Sequence, residues 1–407
     1  MKVLHVNKSD IIGGASIAGH RLHSELRRHS IESFLLVDSP KISDPNTFTI
    51  QRRRFLESLT GRIFFGLGLN YLHILGSGEI AKTKLYEDVD IINFHNLHGG
   101  YFNYLAIPEL TKKKPAVFTL HDMWSFTGHC AYSFSCNRWE IGCGQCPDLG
   151  TYPAIARDNT ALEWKLKLWA YSRSCLTIVT PSQWLANLAQ KSILSRFSIN
   201  HIPNGLDTDI YQPLEASLCR SALGIPQDKK ILLFSAQSFN DPRKGSDLLI
   251  SALQKLPASI ANELVLITMG DGGEELSQEI NIPVFALGYV GGDRLKSLVY
   301  SAADGLIFPT RVDNLPLVLQ ESIACGTPVL SFNTGGVPEL VRSGITGLLA
   351  EPENPDDLAG KIMEFLEDDL LRQRMAQACR EVAVAEYSIE LQAKRYLSLY
   401  KQVLEKF

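Results

Sequence analysis

Residues 310–341, TRVDNLPLVLQESIACGTPVLSFNTGGVPELV, constrain the fold more than any other stretch of this chain. Their pattern predicts a strand end, a tight loop, a helix that Gly326 stops, a second strand and a second glycine loop. We expect Asn314 or Leu315 at the helix cap and Pro316 in the first turn, where its missing N–H costs nothing. The helix start then has free backbone N–H groups and a positive dipole end, where a phosphate group binds well.

Two carboxylates accompany this helix. Asp313 lies just before its start, and Glu321 lies two turns inside an otherwise apolar sequence, VLQESIA. A buried carboxylate needs a partner. One carboxylate can accept hydrogen bonds from both hydroxyls of a vicinal diol, such as a ribose. The alternative is a plain helix of an α/β protein with acidic residues on its surface.

The length and composition indicate a globular protein of two domains. A chain of 407 residues suits two domains of ordinary size, and 45% hydrophobic with 21% charged residues is usual for soluble proteins. A net charge of -4 argues against nucleic-acid binding, which normally needs a basic surface. The sequence MKVLHVN opens directly into a strand without a signal peptide, and no apolar run reaches the roughly 20 residues that span a bilayer. We therefore expect a cytoplasmic protein with reduced thiols.

The N-terminal sequence predicts a Rossmann-like start. A strand over residues 2–7 leads to a glycine turn and a helix over residues 16–29. Later buried strands end at His95 and at His121. Histidines at the carboxyl end of a strand point into the ligand crevice of an open α/β sheet.

The spacing Asp-x7-Glu from Asp313 to Glu321, followed by ACGTPV and GGVPELV, resembles the donor site of the retaining glycosyltransferases of family 4. This large family has the GT-B fold, an α/β architecture of two facing Rossmann-like domains. Its usual motif is Glu-x7-Glu, so the shorter Asp313 departs from the pattern. The resemblance implies that Asp313 contacts the donor sugar and Glu321 the nucleotide ribose. The donor-binding residues that it implies at the helix start are Asn314, Leu315, Pro316 and Leu317.

The resemblance covers nearly all of the chain and implies its domain organisation. An N-terminal acceptor-side domain covers residues 1–205 and carries a cysteine-rich insert at 129–148. A nucleotide-sugar-binding domain covers 206–386, and a terminal helix, 387–407, returns to the first domain. Beside the donor diphosphate the resemblance implies Gly13 and Gly14, with a mere tight turn as the alternative.

The same resemblance implies roles for the histidines of the first domain. The family carries a histidine near the anomeric carbon at the position of His121, and we expect Asp122 to orient its ring. His95 is a candidate acceptor-site residue. We expect His98 at the surface.

The second domain carries two cations in the run AQSFNDPRKG. Relatives usually have an arginine where this chain has Gln237, followed by a Lys-Gly pair that Lys244 matches. Arg243 beside it can restore the lost charge. Cations are needed because a nucleoside diphosphate leaves as an anion, and the alternative is a solvated charge pair at a helix start. Further donor-binding residues that the resemblance implies are Gly270, Tyr289 and Val290.

Half of the chain's eight cysteines lie in the run HCAYSFSCNRWEIGCGQCP. In a reducing compartment this clustering favours a structural metal, with zinc as the expected ion, although only the last pair has the close Cys-x2-Cys spacing. The alternative is four reduced thiols in a packed loop. The run HDMW…GC…CP resembles a subset of family 4 linked to exopolysaccharide assembly, of the colanic-acid type, and suggests a flap that shapes the acceptor pocket. The four proposed ligands are Cys130, Cys136, Cys143 and Cys146.

Arginines 52–54 precede a mostly apolar segment that contains IFFGLGL. The segment 52–75 is either an irregular acceptor-side lobe or a peripheral contact with anionic lipid on the inner face of a membrane, with arginines at the headgroups.

The resemblance thus implies a retaining enzyme that moves a hexose from a nucleotide sugar to a hydroxyl of a glycan or lipid-linked acceptor, with UDP favoured over GDP because UDP donors are commoner in the family. Lys244, Arg243 and the helix start stabilise the departing diphosphate, and His121 orients the sugar. The family lacks an obligatory divalent metal, so the resemblance implies that fixed cations and amides neutralise the leaving group. Two alternatives stay open: a GT-B enzyme of other chemistry, such as an epimerase or a phosphorylase, and a non-catalytic nucleotide-sugar-binding assembly protein.

Overall fold

The computed structural model describes all residues from Met1 to Phe407. The chain forms two compact units. The N-terminal unit comprises Met1–Pro203 and Gln392–Phe407, and the C-terminal unit comprises Asn204–Leu391. The expected boundaries after residues 205 and 386 lie close to these divisions.

The N-terminal unit is built on a seven-stranded parallel sheet in the order β3-β2-β1-β4-β5-β6-β7. Its strands are near-continuous apolar runs, as expected for a sheet buried on both faces. The elements in chain order are β1 Lys2–Ser9, α1 Gly14–Arg28, β2 Glu32–Ser39, β3 Thr47–Thr49, α2 Arg54–Gly66, α3 Gly76–Glu79, α4 Lys84–Asp88, β4 Ile91–Phe94, α5 Ile107–Leu110, β5 Ala116–Thr119, α6 Thr160–Tyr171, β6 Leu176–Thr180, α7 Gln183–Gln190 and β7 Ile199–His201.

The C-terminal unit is built on a six-stranded parallel sheet in the order β10-β9-β8-β11-β12-β13. Its elements are α8 Ala216–Leu223, β8 Lys230–Ser238, α9 Ser246–Gln254, α10 Ala258–Ala261, β9 Leu264–Asp271, α11 Gly273–Leu276, β10 Val284–Ala286, α12 Asp293–Ala302, β11 Gly305–Phe308, α13 Leu317–Ala324, β12 Val329–Phe332, α14 Val337–Leu340, β13 Gly347–Ala350, α15 Pro355–Glu367 and α16 Asp369–Tyr387.

The strand orders create one topological switch point in each sheet. In the N-terminal unit, β1 pairs with β2 on one side and with β4 on the other. In the C-terminal unit, β8 pairs with β9 on one side and with β11 on the other. Ligands of open α/β sheets bind outside the carboxyl ends of the strands at such points.

The terminal helix α17, Ile389–Lys406, supplies core side chains to the N-terminal unit. Its Tyr400 hydroxyl accepts a 2.7 Å hydrogen bond from the Asn93 side chain on β4, and its Tyr396 hydroxyl lies 3.0 Å from the Thr119 hydroxyl on β5. Both tyrosines are fully buried. The end of the chain therefore packs on the first sheet, as the sequence predicted.

None of the helices combines the length and the apolarity needed to cross a bilayer.

Candidate functional site

Three charged side chains meet at the switch point of the C-terminal sheet. The Asp313 carboxylate accepts hydrogen bonds from Arg243 Nη1 at 2.7 Å and from Lys244 Nζ at 2.8 Å. Both cations lie in a turn after β8, and Asp313 lies in the loop between β11 and α13. The sequence predicted all three as site residues, but it did not predict that one carboxylate pairs with both cations. We call these residues the charge cluster.

Burial and charge act in opposite directions on this cluster. Burial alone would raise the pKa of Asp313, but Lys244 and Arg243 outweigh it and hold that pKa well below its usual range. Burial lowers the pKa of Lys244, although Asp313 partly offsets this effect. A buried charge is tolerated only when it is paired. The cluster is thus a compensated set of ions, to which Asp241 adds a second carboxylate, 3.5 Å from Arg243 Nη2.

Two glycines allow the backbone to form this arrangement. Gly245 has φ of 73°, and a Cβ there would lie 1.9 Å from the Pro309 carbonyl oxygen. Gly335 has φ of 57°, and a Cβ there would lie 2.2 Å from the Asp313 carbonyl oxygen. Only glycine fits at such positions. The loops that carry Lys244 and Asp313 are therefore packed backbone against backbone.

The helix that follows Asp313 starts one residue later than expected. Pro316 is the cap residue of α13 rather than a residue of its first turn, because its ψ of 126° is extended. The amide N–H of Asn314 instead donates to the Asp313 carboxylate at 3.0 Å. Leu315 and Leu317 are buried at the helix start, so their side chains fix the helix against the core and leave ligand contacts to the backbone.

Glu321 is buried within α13, and it has a partner that the sequence analysis missed. The Tyr300 hydroxyl on α12 donates to its Oε2 at 3.1 Å. Burial, followed by the charge of Glu321, raises the pKa of Tyr300 well above its usual value, so this hydroxyl keeps its proton. The Tyr300 hydroxyl therefore orients the Glu321 carboxylate.

The other predicted donor-binding residues of the C-terminal unit lie near the end of β9 and after β10. Gly270 lies within β9, where its φ of 136° and a Cβ only 1.7 Å from the Ala236 carbonyl oxygen exclude any side chain. Tyr289 is 75% exposed, whereas Val290 is buried. The exposed ring of Tyr289 is therefore available to stack on a flat ligand group.

The N-terminal unit has a row of imidazoles at its own switch point, which we call the histidine row. His5 lies on β1, His95 follows β4 and His121 follows β5. His5 Nδ1 lies 3.0 Å from His95 Nε2, and His95 Nδ1 lies 3.1 Å from His121 Nε2. His95 is almost completely buried, so the predicted acceptor-site residue lies behind His121. The sequence analysis missed His5.

Burial makes all three rings neutral at pH 7. It lowers the pKa of His121 to about 4 and holds the pKa values of His5 and His95 well below their usual value, with their neighbouring histidines adding to the effect. Each ring therefore carries one N–H. His5 Nε2 is buried without a hydrogen-bond partner.

This unpartnered nitrogen selects the direction of the hydrogen bonds. A buried N–H without an acceptor is rarer than a buried acceptor without a donor, so we infer that His5 Nε2 carries no proton. His5 Nδ1 then donates to His95, and His95 Nδ1 donates to His121 Nε2. The remaining proton of His121 lies on Nδ1, where it can be donated onward.

Asp122 has a different principal partner from the expected one. Its Oδ2 lies 2.6 Å from His98 Nε2, and its Oδ1 accepts from the Trp124 amide at 2.9 Å. Burial would raise the pKa of Asp122, but His98 outweighs it and lowers that pKa. His98 is buried, so its expected surface position was wrong.

Gly13 and Gly14 lie at the start of α1, directly after the loop that follows β1. Gly13 is the cap residue, with φ of 85°, and no atom lies within 4 Å of a Cβ built on either glycine. The backbone at this helix start is therefore open to close approach by a ligand.

The four insert cysteines are free thiols, and all four are partly buried. Burial raises the pKa of Cys130 to about 12 and that of Cys143 to about 11. His129, which the sequence analysis did not consider, has its Nε2 3.3 Å from Cys146 Sγ. As the side chains lie, no three His, Cys, Asp or Glu residues are placed to hold a metal ion. The zinc site stays a prediction.

Comparisons with known proteins agree with this architecture. The family model Glycosyltransferase Family 4 matches residues 12–210, and the model Glycosyl transferases group 1 matches residues 218–382. A putative colanic acid biosynthesis glycosyl transferase, WcaC, of Escherichia coli (strain K12) is 27% identical over 335 residues, which are 78% of this chain and 75% of that protein.

Two solved structures share the fold over almost the whole chain. Sucrose-phosphate synthase from Thermosynechococcus elongatus has a TM-score of 0.72 at 19% identity and covers 100% of both chains. Anabaena HepE in complex with UDP-glucose has a TM-score of 0.68 at 18% identity, covering 99% of this chain and 100% of the other. The two family models lie in succession along the chain, and each covers most of one parallel sheet. The chain is therefore a glycosyltransferase of family 4, with the GT-B fold.

Proposed function

We propose that this glycosyltransferase moves a hexose from a nucleotide sugar to a hydroxyl of a glycan or lipid-linked acceptor, with retention of configuration at the anomeric carbon. A UDP-sugar is the favoured donor and a GDP-sugar the next. HepE, with which the chain shares its fold, was solved with UDP-glucose. The similarity to WcaC, whose name refers to colanic acid biosynthesis, supports a role in cell-surface polysaccharide synthesis.

The observation that carries this proposal is the charge cluster at the carboxyl edge of the C-terminal sheet. Two cations share one carboxylate there, directly before the start of α13. A nucleoside diphosphate brings negative charge that Arg243, Lys244 and the helix dipole can stabilise. Glu321, oriented by Tyr300, would accept from the ribose hydroxyls of the same ligand.

The reaction breaks the bond between the anomeric carbon and the diphosphate oxygen and forms a bond from that carbon to the acceptor oxygen. The acceptor hydroxyl loses its proton to the departing phosphate oxygen on the same face of the sugar. Lys244 and Arg243 stabilise the negative charge that develops on the leaving group, and Asp313 contacts the sugar. His121 donates from Nδ1 to a hydroxyl of the donor sugar. No divalent metal is required for this scheme.

A structural zinc ion on the four insert cysteines is a separate proposal, supported by the clustering of the thiols in sequence and by the neighbouring His129. Elemental analysis of the purified protein should then find about one equivalent of zinc per chain. A value well below one equivalent favours the packed reduced thiols instead.

A thermal-shift panel of UDP-, GDP- and ADP-sugars tests the donor, followed by product analysis with the stabilising nucleotide sugar. We expect a UDP-sugar to raise the melting temperature and Glu321→Ala to abolish that shift. Slow donor hydrolysis should release the sugar first as the anomer of the donor, which NMR detects before mutarotation. Release of the opposite anomer overturns retention. Binding without any turnover, in the presence of a range of glycan acceptors, would favour the assembly protein.

A further inference from the structure

Helix α2 turns apolar side chains outward to solvent and a charged side chain inward to the N-terminal unit. Surface helices normally turn apolar residues inward and polar residues outward. Here the residue buried on the inner face is Glu57. The outer face carries Phe55, Leu59 and Ile63, which are 82%, 64% and 62% exposed. These three positions are spaced four residues apart, so they form one stripe along the helix.

A polar anchor explains how α2 can hold this orientation. The Glu57 carboxylate accepts from Arg52 Nε at 2.7 Å and from the amides of Leu75 and Gly76 at 2.9 and 3.2 Å. Arg52 also donates to Asp38 on β2 at 2.9 Å. Ions and backbone amides therefore fix the inner face, and the apolar stripe is not needed to hold the helix in place.

The exposed surface around the stripe is basic. Arg53 and Arg54 at the helix start and Arg62 on its flank are exposed, and α2 contains no acidic residue other than the buried Glu57. Arg52, the first of the three arginines in the sequence, is only 12% exposed and belongs to the anchor. This local surface is positive on a chain whose net charge is -4.

Exposed apolar side chains continue to the end of the helix and one residue beyond it. Phe65 and Leu67 at its end are 52% and 41% exposed. A helix of 13 residues is about 20 Å long, which is too short to cross a hydrocarbon core of roughly 30 Å. Such a helix can lie in the plane of a lipid surface, with its apolar side chains among the acyl chains and its arginines at the phosphates.

We propose that α2 docks this glycosyltransferase on an anionic lipid bilayer, with Phe55, Leu59 and Ile63 inserted and Arg53, Arg54 and Arg62 on the headgroups. The occupant is lipid because the face combines an apolar stripe with exposed cations and has no exposed anion to pair with a basic partner. The segment 52–75 is neither wholly irregular nor wholly lipid-facing, since the docking surface covers residues 53–67. The proposal is independent of which sugar is transferred.

Vesicle co-sedimentation of the full chain tests this surface. We expect binding to vesicles of phosphatidylglycerol and phosphatidylcholine in about equal parts, and little binding to phosphatidylcholine alone. Arg53→Gln, Arg54→Gln and Arg62→Gln combined should weaken binding to the anionic vesicles roughly a hundredfold, since each cation contributes about tenfold or less near such a surface. Increasing salt should weaken the binding of the parent protein to the anionic vesicles but change the binding of this variant little.

The apolar contribution is tested by Phe55→Ser, Leu59→Ser and Ile63→Ser combined, which should reduce binding to the anionic vesicles by at least as much. Leu218→Ser with Leu370→Ser is the matched control, because these leucines are equally exposed, at 69% and 70%, on other helices. The control should bind like the parent, and unchanged melting temperatures verify that every variant is folded.

Three results overturn the proposal. The parent protein does not sediment with anionic vesicles, or the two triple variants bind as well as the parent. Alternatively, the parent forms dimers by light scattering that the apolar triple variant abolishes, which assigns the stripe to a second copy of the chain.

Discussion

In the N-terminal unit, the histidine row at the switch point between β1 and β4 consists of uncharged imidazoles, whereas in the C-terminal unit the switch point between β8 and β11 carries a cluster of paired ions. His5, His95 and His121 are neutral because burial lowers their pKa values. Asp313 and Lys244 keep their charges in a buried position because they pair with each other. Equivalent switch points in the two sheets therefore carry buried groups that differ in charge: neutral rings in one unit and paired ions in the other.

The difference indicates what each site can tolerate. A row of neutral rings is destabilised when a proton is added, because the charged form loses its hydration. A compensated cluster is damaged when one of its charges is removed, because the remaining ions lose their balance. Acid should therefore affect the N-terminal unit first, and single charge deletions should affect the C-terminal unit most.

The largest effect is expected from Lys244→Ala. Removing this cation leaves the Asp313 charge with Arg243 alone, so the site can no longer stabilise a departing diphosphate. We expect the turnover number for the donor to fall about a hundredfold to a thousandfold. Lys230→Ala, which removes a surface lysine paired with Asp369, should keep full turnover. A Lys244→Ala enzyme as fast as the parent would mean that the charge cluster is structural only.

The acid response of the N-terminal unit comes next in size. His121 has a pKa of about 4 in the folded chain and about 6.5 when unfolded. Between these values the unfolded chain binds a proton that the folded chain does not, so the free energy of unfolding decreases as pH falls through this window. The loss from His121 alone is about 3 kcal/mol. Asp313 does not add to this loss. Its pKa is lowered in the folded chain, so its contribution to the free energy of unfolding is lost only at pH values below this window.

Tryptophan fluorescence can follow this acid response in one unit. All five tryptophans lie in the N-terminal unit, so denaturant unfolding at pH 7 and near pH 4.5 reports on that unit. His121→Asn should reduce the pH dependence, whereas His201→Gln, at an exposed histidine, should not. Equal stability of the parent at both pH values would contradict the neutral state of the histidine row.

A smaller effect is expected from Tyr300→Phe. The change removes the hydrogen bond to Glu321 and should weaken nucleotide binding by about 1 kcal/mol, since Glu321 loses its orientation. Tyr211→Phe is a matched control, because that buried tyrosine also donates to a carboxylate of the same unit, Asp293 at 2.8 Å. Calorimetric titration with the nucleotide should separate the two variants. Equal affinities would show that Tyr300 supports the fold and not the ligand.

The smallest and most local prediction concerns the tautomers of the histidine row. Nitrogen-15 chemical shifts should identify Nδ1–H tautomers at His5, His95 and His121 at pH 7. His5→Phe should remove the hydrogen bond that fixes the tautomer of His95, and so produce a mixture of tautomers at His121. An Nε2–H tautomer at His121 in the parent protein would reverse the direction of the hydrogen bonds that we infer.

The sequence predicted correctly those features of the backbone that neighbouring residues determine. The helix α13, the strand before it and the Lys-Gly turn are recognisable because Pro316, Gly326 and Gly245 set the backbone nearby. The one-residue error at Pro316 arose because a proline suits both the cap and the first turn. His98 was misplaced because a histidine after a strand looks the same whether its partner, here Asp122, lies beside it or is absent.

The sequence by itself determined the alternation of strands and helices, the two-unit organisation and the identity of Asp313, Lys244 and His121 as candidates, because these depend on short patterns of apolar, glycine and proline residues. Only the tertiary structure decided which of them meet. The pairing of Arg243 with Asp313, and of Tyr300 with Glu321, depends on the order of parallel strands and on helix packing. Distant crossovers set that order, and no residue near either partner specifies it.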